Sequence, residues 1–104
     1  MRIWLDDERP MPADYDLHVR TVEEAIAVLE KGDVSEISLD NDLGTGLREG
    51  YDVAKWIEEA AFKHSQGEGG IPFTRVHIHT QNPAAKQKMK LALRNAHRYW
   101  RNLQ

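Results

Sequence analysis

Met1-Arg2-Ile3-Trp4-Leu5-Asp6-Asp7-Glu8 and Ile37-Ser38-Leu39-Asp40-Asn41-Asp42 repeat one pattern, a short apolar run that ends in a cluster of acids. Each apolar run reads as a buried strand. If the two strands lie side by side and parallel, their carboxylates meet at one edge of one sheet. Like charges that close repel, and a cation or shared protons must compensate them. A divalent metal is the commonest reason to build such a site. A third strand ending in His79-Thr80-Gln81-Asn82-Pro83 completes it.

Between these segments the pattern alternates strand and helix. After Arg2–Leu5, the stretch Arg9–Asp16 carries two prolines and reads as an irregular connection. Leu17–Arg20 is a short strand. Thr21-Val22-Glu23-Glu24 is a capping box, and Val22, Ala25, Ile26 and Leu29 recur at helical spacing until Gly32 closes the helix. Glu36–Leu39 is the next strand, and a polar, glycine-bearing loop covers Asp42–Gly50. A second helix is predicted from about Tyr51 to Lys63, with Val53, Trp56, Ile57 and Ala60 on one face. The glycine-rich stretch Ser65–Pro72 is a surface loop, and Phe73–Thr80 is a strand. Asn82 suits the cap and Pro83 the first position of a last helix, whose apolar stripe is Met89, Ala92, Leu93 and Ala96. Strands alternating with helices imply a parallel sheet covered on both faces, with the ligand site at the carboxyl ends of the strands.

At 104 residues, 40% hydrophobic and 30% charged, the chain is expected to be one small globular domain covering residues 1–104. Cysteine is absent, which removes disulfides, thiolate metal sites and cysteine nucleophiles, and fits a reducing cytoplasm. The N-terminus lacks a signal-peptide pattern, and no apolar run approaches the roughly 18 residues of a membrane span. The expectation is therefore a cytoplasmic protein without a membrane role. The net charge of −3 hides an asymmetry: from Ala84 onward there are six Lys or Arg and no acid. Such a stretch either attracts phosphate-bearing ligands or is a solvated helix face.

Asp6, Asp7, Asp40 and Asp42 are the candidate metal ligands. Asp6 and Asp7 would face opposite ways on a regular strand, but the chain turns at a strand end and both can still reach one ion. Carboxylate oxygens without a thiolate match a hard divalent cation, Mg²⁺ or Mn²⁺. The same acids also suit loop caps and turns. His79 at its strand end is a candidate general acid or base, whereas His77, placed deeper, reads as a core histidine. Thr80 and Asn82 precede a helix whose free N–H groups suit phosphate, although Asn82 also serves as a plain cap. Arg9 and Arg20 can pair with phosphate oxygens or neutralise the carboxylates, and both readings stand at this point. Trp4, Trp56 and Trp100 read as core or edge packing.

Five pieces in order resemble the cyclic-phosphate processing receiver domain family. They are Trp4-Leu5-Asp6-Asp7-Glu8-Arg9-Pro10, Arg20-Thr21 before a Val-Glu-Glu-Ala helix, Ser38-Leu39-Asp40-Asn41-Asp42-Leu43-Gly44, Gly50-Tyr51-Asp52-Val53, and His79-Thr80-Gln81-Asn82-Pro83. The resemblance implies a small three-layer, receiver-like (flavodoxin-like) α/β fold with a parallel sheet of about four strands. It implies that Asp6 and Asp7 are the acidic metal pair, Asp40 the phosphoacceptor position and Thr80 the switch hydroxyl. It also implies a role on cyclic phosphate ends of nucleotides or RNA. The chain departs from a full receiver in having no helix in its first crossover and no final strand with its phosphate-contacting lysine, so the expected fold is truncated. That favours chemistry over a phosphorelay switch. The expected function is a metal-dependent phosphoesterase using Asp40, His79 and Thr80, with Arg9, Arg20, Thr80 and Asn82 on a phosphate-bearing small molecule or RNA end. The alternative is a non-catalytic module binding a nucleotide or a protein partner.

Overall fold

The computed structural model describes residues 1–102. In chain order the elements are β1 (Arg2–Leu5), β2 (Leu17–Val19), α1 (Val22–Leu29), β3 (Glu36–Leu39), α2 (Gly50–Ser65), β4 (Arg75–Ile78) and α3 (Pro83–Arg101). The four strands form one sheet in the order β2-β1-β3-β4, and every pair is parallel. This is a small receiver-like α/β fold. The chain leaves β1 toward one side for β2 and returns to the other side for β3, so the switch point lies between the carboxyl ends of β1 and β3.

Local chemistry explains the elements. Thr21 Oγ1 accepts the Glu24 N–H at 3.2 Å, and Glu24 reaches back to the Arg20 N–H, which fixes the start of α1. Asn82 Oδ1 accepts the Ala85 N–H at 3.1 Å and Pro83 opens α3, as the sequence predicts. The helix α2 begins one residue earlier than expected, at Gly50, because the Glu49 N–H is taken by Asp52 Oδ2 at 2.8 Å. The last strand is shorter than Phe73–Thr80. Thr74 is buried with its hydroxyl on the Val34 carbonyl, pairing starts at Arg75, and the chain turns away after His79 N–H binds the Leu39 carbonyl.

Register assigns the two faces. Ile3 pairs with Ile37 and Ile37 with Val76; Leu5 pairs with Leu39 and Leu39 with Ile78. Ile3, Leu5, Ile37 and Leu39 are fully buried and form the core with Val53, Ile57, Met89 and Ala96 from the helices. The connections β2-α1-β3 and β3-α2-β4 step the same way across the sheet, so right-handed crossovers place both helices on one face. There α2 packs against both α1 and α3. The opposite face carries Arg2, Trp4, Glu36, Ser38 and His77. Its cover is the helix-free connection after β1: Tyr15 packs edge-on against Trp4 at 5.4 Å and donates its hydroxyl to Glu36 at 3.1 Å. The outer layer expected from the strand–helix alternation is thus a loop, and it reaches only part of the sheet. His77 is consequently exposed and lies 3.2 Å from Glu36, not in the core where the sequence reading placed it.

Candidate metal centre and phosphate cleft

Beyond the last paired row, Leu5-Leu39-Ile78, the ladder continues by one residue: Asp6 N–H binds the Val19 carbonyl, Asp40 N–H the Leu5 carbonyl and His79 N–H the Leu39 carbonyl. Asp6, Asp40 and His79 are therefore neighbours in one row. By the two-residue period they share the face of Trp4, Ser38 and His77. One ligand atom from each lies within 4.8 Å of the others. This is a possible three-ligand metal site. Its two carboxylates, but not His79, line a cleft of about 480 Å³ with Asp6–Arg9 on one side, Asp40, Asp42 and Glu49 on another, and Gln81 on a third.

Asp6 is the most constrained member, 1% exposed. Its Oδ1 accepts the N–H groups of Glu8 and Arg9, both at 2.8 Å, and its Oδ2 lies 3.0 Å from His79 Nε2. Burial pushes its pKa upward, but the two backbone donors and His79 outweigh it and hold the carboxyl below its ordinary range. Asp40 behaves oppositely. Its burial, reinforced by the negative charge of Asp6, pushes the carboxyl up despite the Asn41 N–H that it accepts at 2.8 Å. The centre thus holds more negative charge than its neighbours neutralise, and two hard carboxylate oxygens with one imidazole nitrogen suit a divalent cation.

His79 is held on three sides. Its ring stacks on Trp4 at 3.9 Å and 6°, Nδ1 lies 2.7 Å from Ser38 Oγ, and Nε2 faces Asp6. Burial lowers its pKa, opposed by the two carboxylates. Ionised Asp6 accepts from Nε2–H, which leaves Nδ1 to accept the Ser38 hydroxyl proton. Trp4 is thus part of the site, beyond the packing role read from sequence. Ser38 was not singled out as a site residue, although its place two residues before Asp40, across from His77, was a usable signal.

The other expected residues separate. Asp7 is half-buried and Asp42 exposed; both line the cleft, outside the three-ligand cluster. Arg9 also lines it, with Nη1 donating to the His79 carbonyl at 2.9 Å. Arg20 is exposed at the rim, its Nη1 3.5 Å from the Asp7 carbonyl. Thr80 and Asn82 are not on the cleft wall: Thr80 Oγ1 accepts the Asn82 N–H at 3.2 Å and Asn82 caps α3, so these two hold the turn while Gln81 faces the cleft. Asn41, buried at 1% exposure, ties the second wall together: Oδ1 accepts the Tyr51 N–H at 3.0 Å while Nδ2 approaches Asp42 and Glu49.

A four-stranded parallel sheet with two acids and a histidine at its switch point defines a receiver-type α/β domain. The chain belongs to the cyclic-phosphate processing receiver domain family, which matches residues 1–95. No curated protein and no solved structure gives a significant match. The family description links the domain to the processing of cyclic phosphates. No helix among the described residues is long and apolar enough to cross a membrane.

Proposed function

We propose that this chain is a divalent-metal-dependent phosphoesterase that opens a cyclic phosphate on a nucleotide or an RNA end. The convergence of Asp6, Asp40 and His79 within 4.8 Å, with both carboxylates lining an open cleft, is the observation that supports this reading. Asp6 and Asp40 would hold Mg²⁺ or Mn²⁺ through their carboxylate oxygens, with Asp7 and Asp42 at the periphery. Such an ion supplies Lewis-acid stabilisation of charge on the phosphoryl oxygens.

The chain's own residues supply the rest. Arg9 uses one guanidinium nitrogen on the His79 carbonyl, and its remaining N–H donors serve to orient non-bridging phosphate oxygens. In its protonated form, with Ser38 Oγ accepting from Nδ1, His79 would pass the Nε2 proton it shares with Asp6 Oδ2 to the leaving oxygen and return to the neutral ring. Asp40 acts as a ligand, or attacks phosphorus as one ring P–O bond breaks, giving an aspartyl phosphodiester that water then hydrolyses to the opened phosphomonoester and free Asp40. Only the second route leaves a trappable phosphoenzyme.

One observation favours a second reading, a non-catalytic nucleotide-binding module. Both ring nitrogens of His79 are engaged and its ring is stacked, an arrangement that also suits a fixed binding wall. The deciding experiment incubates the protein with 2′,3′-cyclic and 3′,5′-cyclic nucleotides and Mg²⁺ or Mn²⁺. Metal-dependent ring opening that disappears in Asp40→Asn and His79→Ala supports the esterase. Tight retention of one nucleotide without product, unchanged in His79→Ala, supports the module.

A further inference from the structure

Six carboxylates line the cleft (Asp6, Asp7, Glu8, Asp40, Asp42 and Glu49), and Arg9 is the one Lys or Arg among its lining residues. A small anionic nucleotide entering such a cleft gains little from the walls. The opposite charge lies immediately beyond the Gln81–Pro83 turn. Lys86, Lys90 and Arg94 recur every four residues on one side of α3, all exposed, and none takes part in an ion pair among the described residues. They rim a groove of about 400 Å³ between α3 and the edge strand β4, with Val76, Ile78 and Leu93 on its floor. A second depression, from Pro83 to Arg94, borders the same row. No carboxylate lines either hollow.

We infer that this groove is a binding track for single-stranded nucleic acid, which delivers the phosphate at the strand's end to the acidic cleft. Three features select this occupant. Four residues of α-helix rise about 6 Å, comparable to the separation of successive phosphates in an extended strand, so the three cations offer one contact per phosphate. The row starts beside Pro83, two residues past Gln81 of the cleft wall, and leads away from it, so a bound strand places its end at the cleft. At its far end, Phe73 is 52% exposed, its ring tilted 58° to that of His97 at 5.6 Å, and its own face is an apolar surface on which a base can stack. An acidic peptide would use the cations and have no need of the ring. Binding energy from this remote track holds the reacting end in a cleft that a mononucleotide enters unaided.

The inference rests on the reading of the cleft as a phosphate site for its direction, but binding needs no turnover. The test measures fluorescence anisotropy of a labelled short single-stranded RNA at several salt concentrations. The proteins are wild type, the triple variant Lys86→Gln/Lys90→Gln/Arg94→Gln, and Phe73→Ala. Circular dichroism verifies that the variants, changed only at exposed positions, remain folded. The triple variant should lose at least about tenfold in affinity and flatten the log–log salt slope by about two, the release expected for three phosphates on a single strand. Phe73→Ala should lose about tenfold with the slope unchanged. Hydrolysis of a cyclic mononucleotide, if the wild type shows it, should be the same in all variants. RNA affinity and slope that do not change in the triple variant overturn the track. So does a poly-glutamate peptide that binds as tightly as the RNA and ignores Phe73→Ala, a result that assigns the row to an acidic protein. If no cyclic phosphate is turned over but the triple variant still loses RNA, the esterase reading fails and the track stands.

Discussion

Gly50→Ala tests the architecture of the cleft at one atom. Gly50 opens α2 against the backbone that carries Asp40, and its N–H donates to the Asn41 carbonyl at 2.9 Å. A Cβ added there would stand 1.8 Å from the Asp40 carbonyl oxygen, 2.8 Å from its carbon and 3.0 Å from the Asn41 Cα. Ordinary contact begins at 3.4 Å, so the two backbones must separate by about 1.6 Å, and no flexible side chain can absorb it. The overlap costs about 1–3 kcal/mol by analogy with overpacked cores. The strained Gly50–Asn41 hydrogen bond adds about 1 kcal/mol. Against this, alanine gains about 1 kcal/mol over glycine as a helix residue. The sum is a net loss of about 2 kcal/mol and a midpoint lower by about 8–16 °C for a domain of this size. Urea unfolding followed by tryptophan fluorescence measures the loss, and calorimetric titration with Mn²⁺ measures the displacement of Asp40 as weakened affinity. A variant as stable as wild type, with helix propensity winning, would refute the close approach.

Metal binding should raise stability by mass action, about 2.7 kcal/mol at a hundredfold excess over Kd, and Asp40→Asn should remove most of that gain in a thermal melt with Mg²⁺ or Mn²⁺. Without metal, the same variant should be more stable than wild type at neutral pH, since it deletes a carboxylate that burial and the charge of Asp6 disfavour. Because the folded-state pKa of Asp40 is raised, the native protein binds more protons than the unfolded chain between the ordinary carboxylate value and that raised value. The advantage of Asp40→Asn should therefore shrink as pH falls through this window; an advantage constant with pH would contradict the assignment. Asp6 has the opposite sign. Its lowered pKa stabilises the fold above the ordinary carboxylate range, and acid unfolding should occur at higher pH in Asp6→Asn, as followed by circular dichroism. Ser38→Ala leaves the half-buried His79 Nδ1 without its donor and should cost about 1 kcal/mol, partly restored in Ser38→Thr; equal denaturant midpoints for all three proteins would deny the Ser38–His79 bond.

Much of the fold was legible because its signals are local. The capping box at Thr21, the Asn82–Pro83 start and the apolar stripes of α1 and α3 each depend on residues within a turn of one another. Asp6 and Asp40 were visible as acids at strand ends, and the parallel order brings them together as expected. Which acids converge depended on the chain's path. Asp6 stays in the row because the Glu8 and Arg9 N–H groups fold back onto it, and that same turn leaves Asp7 at the rim. Thr80 and Asn82 left the cleft for the same kind of reason, since each is consumed by the turn that starts α3.

By itself the sequence determined the alternation of elements, the acidic strand ends and the basic last helix, since composition, spacing and capping act over a few residues. Tertiary structure alone decided that all three helices share one face and that a loop covers part of the other. Handed crossovers and strand register bind residues far apart in the chain, and no local pattern reports them. The same long-range pairing set Trp4 beneath His79, Ser38 beside it and Asp6 against it. A strand end bearing a histidine became, by register, the third wall of a charged centre.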